Sequence, residues 1–256
     1  MSTKETIKAY DLFGEQYHNS RKKQNGISFF YNHNLEMPTT LKLLGNVKDK
    51  KILDLGCGSG FYSSLLYKKG AKIKGIDLSK TLIKLAKEQA QEVEFKVGDI
   101  VKKLPYKNSE FDIVLSSLVL GHLDSWDNVL EEINRILKKN GIFIFSNYNP
   151  VTEKTNKKKW FFKTFRVIEN YFVEGPRPKI WTPETKNFPK ELKLNVMHYH
   201  KTYGTIIKLL IKHEFEIIDY EDSFPTKISK EQFPKEYKKS INAPHFCTWK
   251  LKKKSS

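Results

Sequence analysis

Ile52-Leu53-Asp54-Leu55-Gly56-Cys57-Gly58-Ser59-Gly60 reads as a buried strand that runs into a glycine turn and opens a helix. Glycine lets a backbone come close to a ligand there, and a helix start presents free N–H groups to an anion. Several nucleotide-binding folds share such a turn, so its surroundings decide its use. From Lys51 to Asn147, short apolar runs alternate with stretches of helical period, the pattern of a parallel sheet flanked by helices. The spacing predicts strands at 51–55, 71–77, 93–97, 111–118 and 142–147. It predicts helices from the turn through Tyr67, at 79–89 with Ser79 as cap, and near 127–138, ended by Asn140-Gly141. A helix at 203–213 and strands at 215–223 and 245–252 follow. The fold class is α/β, with a doubly wound sheet.

The 256 residues, 39% hydrophobic and 13% aromatic, can fill a sizeable core, which argues against disorder. Two cysteines, Cys57 and Cys247, make neither a disulfide framework nor a cysteine-rich zinc site. With no apolar leader after Met1 and no run near the roughly 18 apolar residues of a membrane span, a cytoplasmic protein with no integral membrane part is expected. The charge of +17 invites a nucleic-acid partner, but the lysines are spread along the whole chain. Only Lys154–Lys163 and Lys250–Lys254 are locally dense. Beyond Pro150 the alternation stops and aromatics (Trp160, Phe161, Phe162, Phe165, Tyr171, Phe172, Trp181) gather among prolines, which suggests an inserted cap. Those aromatics either cage an acceptor or form the cap's own small core. The organisation expected is a helical segment over 1–45, a core over 46–150, the cap over 151–201 and the rest of the core over 202–256.

Three carboxylates at strand ends decide what the turn binds. A dinucleotide brings a pyrophosphate to such a turn, and Asp54, two residues before Gly56, would repel it. S-adenosylmethionine has no phosphate; it presents an ammonium, a carboxylate, a ribose diol and an adenine amine. Asp54 can face the ammonium, Asp77 the ribose hydroxyls and Asp99 the amine, leaving the Gly56–Gly60 backbone for the carboxylate. Asp77 is also suited to start a helix, and Asp99 to form a turn, but all three at the right strand ends favour the cofactor.

The segments DLGCGSG, GIDLS, VGDI and LPYKNSEFDIVLSSLVLGHL resemble those of class I S-adenosylmethionine-dependent methyltransferases, most of all the small-molecule group typified by quinone-biosynthesis enzymes. The resemblance implies a Rossmann-like sheet of seven strands, the last antiparallel, with PHFCTWKLKK as the closing strand. It implies that Tyr10–Tyr17 lies over the pocket, with Tyr17 beside the cofactor and Arg21 near its carboxylate. The cofactor-binding set implied is Tyr17, Arg21, Asp54, Gly56, Cys57, Gly58, Asp77, Leu78, Ser79, Asp99, Ile100 and Ser116.

Amino-methylating DNA enzymes resemble one another in an Asn/Asp-Pro-Pro-aromatic turn after the fourth strand, where this chain has Ser116–His122. Neither cysteine is placed as the nucleophile of cytosine-5 methylation. His122, after the fourth strand, is the candidate catalytic base, and His198 and His200 are weaker candidates for the acceptor pocket. No metal is expected, because His122 and Asp124 lack a third ligand. The expected function is methyl transfer to a small, hydrophobic or aromatic acceptor. An RNA substrate and a cofactor-binding regulator without catalysis are the alternatives, and the oligomeric state is not legible.

Overall fold

The computed structural model describes residues 3–161, 163–181 and 194–254. Helix α1 (Thr3–Lys22) is followed by a helical run from Ile27 to Leu44. That run comprises α2 (Ile27–Phe29), a wider π-helical turn (Phe30–Glu36) and α3 (Met37–Leu44). The alternating core then begins with β1 (Lys51–Leu55), α4 (Phe61–Lys68), β2 (Lys72–Asp77), α5 (Lys80–Gln89), β3 (Glu94–Val97) and β4 (Phe111–Ser117). A single 3-10 turn, Leu120–His122, leads to α6 (Asp127–Ile136), β5 (Leu137–Tyr148) and the short α7 (Pro150–Glu153). Two pairs of strands follow, β6 (Thr155–Trp160) with β7 (Lys163–Ile168) and β8 (Gly175–Trp181) with β9 (Leu194–His200). The chain closes with α8 (Tyr203–Lys212), β10 (Phe215–Asp222), α9 (Ser229–Gln232), α10 (Pro234–Ser240) and β11 (Phe246–Lys253).

Seven strands form one sheet in the order β10-β11-β5-β4-β1-β2-β3. β1 to β5 pair in parallel, and β11 runs antiparallel between β5 and β10. The expected seven-stranded Rossmann-like sheet with an antiparallel last strand is therefore present. Strand order reverses between β1 and β4, which opens a crevice at their carboxyl ends.

Both faces of the sheet are covered, so its central strands are apolar on both sides. Along β1 the two-residue alternation sends Leu53 and Leu55 into a cluster with Trp126, Phe143, Phe145 and Trp249, and Ile52 into one with Leu66, Ile83 and Phe95. Trp126 fixes the first cluster, since its indole N–H donates to the Leu120 carbonyl while its ring meets Phe145 edge-on. No helix among the described residues is long and apolar enough to cross a membrane.

One expectation changes. The helix before Asn140-Gly141 ends at Ile136, and Leu137 already pairs with Phe111. Pairing then resumes at Ile142 with Ile113, so Asn140, at φ 59°, absorbs a bulge within β5 and ends no helix. The stretch beyond Pro150, where the alternation stops, holds two two-stranded sheets. Pro176 and Pro178 hide β8 from a sequence reading, yet a two-stranded ribbon has a free edge where a missing N–H is tolerated.

Candidate active site

The crevice holds a cavity of about 750 Å³, walled by the glycine turn, the ends of β2 to β5, α1, α2 and β9. Gly56 sits at φ 77°, and a Cβ there would lie 2.4 Å from the Val119 side chain, so only glycine fits. The turn folds onto its neighbours: Gly56 and Cys57 donate their N–H groups to the Ile76 carbonyl, Gly58 donates to Asp77 Oδ2 at 2.8 Å, and Gly60 donates to the Cys57 carbonyl. Four of the five backbone donors expected to hold a carboxylate, those of Gly56, Cys57, Gly58 and Gly60, are thus engaged within the protein.

A different donor is idle. Arg21, on α1, is 8% exposed and lines the cavity. Its Nη1 donates to Tyr17 Oη at 3.2 Å and its guanidinium lies 4.5 Å from the centre of the Phe61 ring. Its Nε and Nη2 are buried with no acceptor. Burial holds the adjacent His18 and His33 down at about 4, the former helped by Lys22 and Arg21 and the latter by Arg21, so both rings are neutral. A buried cation with two unused donors calls for an anion.

Of the residues expected at the site, Tyr17, Arg21, Gly56, Gly58, Asp77, Leu78, Ser79, Asp99, Ile100 and His122 line this cavity. Asp77 accepts from the N–H groups of Gly58 and Ser79, and burial pushes its carboxyl up against those hydrogen bonds. Ser79 caps α5 by accepting from Leu82 N–H and donates its hydroxyl to Asp11 Oδ1 at 2.6 Å, which ties α1 over the pocket. Asp99 holds its own turn by accepting from Val101 N–H.

Three expected residues stand elsewhere. Asp54 shares the Ile52 side of β1, where its Oδ2 accepts from Ser63 of α4 at 2.6 Å behind the turn. Burial pushes its carboxyl up to about 7. Cys57 is buried in the turn with its thiol pushed up by that burial. Ser116 donates to the Leu55 carbonyl inside the sheet, and strand alternation brings Ser117 to the cavity in its place. Ser117 donates in turn to Glu36, a fully buried carboxylate that also accepts from Thr40, Tyr62 and Ser146. Four hydroxyls from four elements thus close the space beneath the pocket, with nothing in the sequence near Glu36 to announce it.

The far end of the cavity is aromatic and polar. His122 Nδ1 lies 2.8 Å from the Met197 carbonyl, which can only accept, so Nδ1 carries the proton and a neutral ring keeps its lone pair on Nε2. Tyr10 meets both Tyr17 and His122 edge-on. Tyr31, Tyr148, Glu153, His198, His245 and Phe246 complete this end, and of these only His198 has any sequence signal. His245 Nε2 lies 3.2 Å from Tyr31 Oη. The cap aromatics whose side chains are described do not supply this wall: Phe161 and Phe172 are 85% and 87% exposed, and Tyr171 turns to His200. Phe162 and the side chains of Trp160, Phe165 and Trp181 lie outside the described residues.

A guanidinium with idle donors fits the carboxylate of S-adenosylmethionine, and carboxylates at the ends of β2 and β3 fit its diol and its amine. A family model described as a methyltransferase domain matches residues 46–238. An uncharacterized protein of Haemophilus influenzae is 32% identical over 99% of both chains. The ubiquinone biosynthesis O-methyltransferase of Pelagibacter ubique is 33% identical over 68% of each chain. The crystal structure of an S-adenosylmethionine-dependent methyltransferase from Mesorhizobium loti superposes with a TM-score of 0.71 at 26% identity, covering 85% of this chain and 97% of that one. The pocket at the strand ends, the antiparallel seventh strand and these likenesses agree: the chain belongs to the methyltransferase-domain family and is an S-adenosylmethionine-dependent methyltransferase.

Proposed function

We propose that the acceptor is a small, uncharged molecule of hydrophobic or aromatic character, methylated with His122 as the proton acceptor. One observation carries this. Of 46 lysines and arginines, only Arg21 lines the cavity among the described residues. An RNA strand or a carboxylate-bearing acceptor would need cationic side chains around it, and the end of the cavity near His122 offers phenols, imidazoles, apolar faces and one carboxylate, Glu153, that is turned to His198 and His200. The volume of about 750 Å³, shared between cofactor and acceptor, leaves room for a small molecule only.

In this reading Arg21 holds the carboxylate of the cofactor, Asp77 accepts from its ribose hydroxyls and Asp99 from its adenine amine. Leu78 and Ile100 flank the base, and Gly56 and Gly58 allow close approach beside Tyr17 and Ser79. Asp54, Cys57 and Ser116 act from behind, shaping the turn and the β4 end. When bound, the cofactor supplies a methyl carbon on a sulfonium. The protein's task is then to orient the acceptor and receive its proton at His122 Nε2.

Transfer of labelled methyl to a panel of uncharged phenols, their carboxylate-bearing analogues and bulk tRNA tests the reading. Uncharged phenols should be preferred at least tenfold. His122→Asn should lower kcat on them by about 100-fold or more, the usual contribution of a positioned base. Label appearing in tRNA alone, and suppressed by salt, would contradict it.

A further inference from the structure

The two weakest sequence candidates, His198 and His200, share a partner. Both histidines are on β9 and fully buried, and both face Glu153 at the end of α7. Glu153 Oε1 lies 2.5 Å from His198 Nδ1, and Oε2 lies 3.1 Å from His200 Nδ1. The other nitrogen of His200 reaches the Tyr171 carbonyl at 2.9 Å, so this ring bridges a carboxylate and the loop before β8. Between the two histidines' contacts and the catalytic candidate stands one residue, Met197, whose carbonyl receives the His122 Nδ1 proton.

We propose that Glu153 is a positioning residue: by clamping β9 through His198 and His200, it holds the Met197 carbonyl on His122 and so fixes the tautomer in which Nε2 is basic. The inference rests on His122 as the proton acceptor. The geometry around Gly121 supports it. A Cβ at Gly121 would lie 2.0 Å from His198 Nε2 and 2.6 Å from Asn147 Oδ1, so the His198 ring presses directly on the turn that carries His122. The rings of His198 and His122 meet edge-on with centroids 5.8 Å apart, and Tyr148 packs on His198 at 4.7 Å. The neutral ring of a free histidine side chain prefers the proton on Nε2, the nitrogen that must be unprotonated here. A backbone carbonyl aimed at Nδ1 reverses that preference only while the strand bearing it stays in place.

Nitrogen NMR of the ring, with label in histidine, reads the tautomer directly because protonated and bare ring nitrogens resonate far apart. His122→Gln identifies the signal. Wild type should show His122 protonated on Nδ1. In Glu153→Gln the signal should move toward the Nε2-protonated form, while affinity for S-adenosylhomocysteine stays within twofold. Should that variant fail to fold, His198→Gln removes the same tie and should give the same movement. An unchanged His122 signal in a folded variant, or an Nε2-protonated ring in wild type, would overturn the proposal. A parallel tenfold loss of ligand affinity would do so too, by making Glu153 general scaffolding. Failure of wild type to bind S-adenosylhomocysteine would instead contradict the cofactor-site assignments, and the nitrogen spectrum, which needs no ligand, would still decide the clamp.

Discussion

Arg21 bears more of the cofactor reading than any other side chain, because it is a buried cation with donors to spare. Arg21→Met should weaken S-adenosylhomocysteine binding by about 1.5–3 kcal/mol, roughly tenfold to a hundredfold. It should leave the ligand-free protein at least as stable, since an unpaired buried charge is removed. Calorimetry and thermal melts of the one variant read both effects, and unchanged affinity would take Arg21 out of the site. Asp54 makes a prediction of opposite kind. Burial pushes its carboxyl up to about 7, well above its ordinary 3.8, against the hydrogen bond it accepts from Ser63. The unfolded chain therefore gives up this proton first, and the stability linked to Asp54, whole below about pH 4, is lost as pH rises to about 7. Asp54→Asn should gain on wild type across that window by up to roughly 4 kcal/mol. A stability difference that does not change between pH 4 and 7 would contradict the burial. Asp54 was legible as an acid near the turn; that it lies behind the turn follows only from the side of β1 it occupies.

At the scale of elements, the central sheet was readable because its strands are short apolar runs between helices of clear period, and Ser79 and the glycine turn marked two helix starts. β9 was legible only through its histidines: of the two singled out, His198 lines the cavity and His200 lies behind it, while the Met197 carbonyl that meets His122 is backbone and has no signature. Of the aromatics that gather in the insertion, Phe161 and Phe172 face solvent, and an aromatic side chain marks a core or a cavity only when something covers it. The hairpin of β6 and β7 pairs only with itself, and none of its described residues lines the cavity. Replacing residues 156–167 by a two-residue turn should thus leave S-adenosylhomocysteine affinity within twofold, as measured by calorimetry. A tenfold loss would show that the hairpin supports the pocket after all.

For the whole molecule, the distribution of charge matters more than its sum. The chain carries +17, yet the described wall of its cavity has Asp77, Asp99 and Glu153 against a single arginine. The lysines are therefore mostly outside, and the two carboxylates at the cofactor end, Asp77 and Asp99, suit a cofactor bearing a sulfonium and an ammonium, while Glu153 stands at the other end. Composition could not reveal this, because the acids that meet at the strand ends are far apart in sequence. The cofactor was legible from their positions; the acceptor wall, assembled from α1, the turn after β4, α7 and β9, was not. A crystal structure of the complex with S-adenosylhomocysteine tests the account most directly. It should show the ligand carboxylate on Arg21 Nε and Nη2, the ribose on Asp77, and the sulfur open toward His122 and Tyr148 across a small enclosed space. A carboxylate held away from Arg21, or a sulfur facing an open groove lined with lysines, would contradict it.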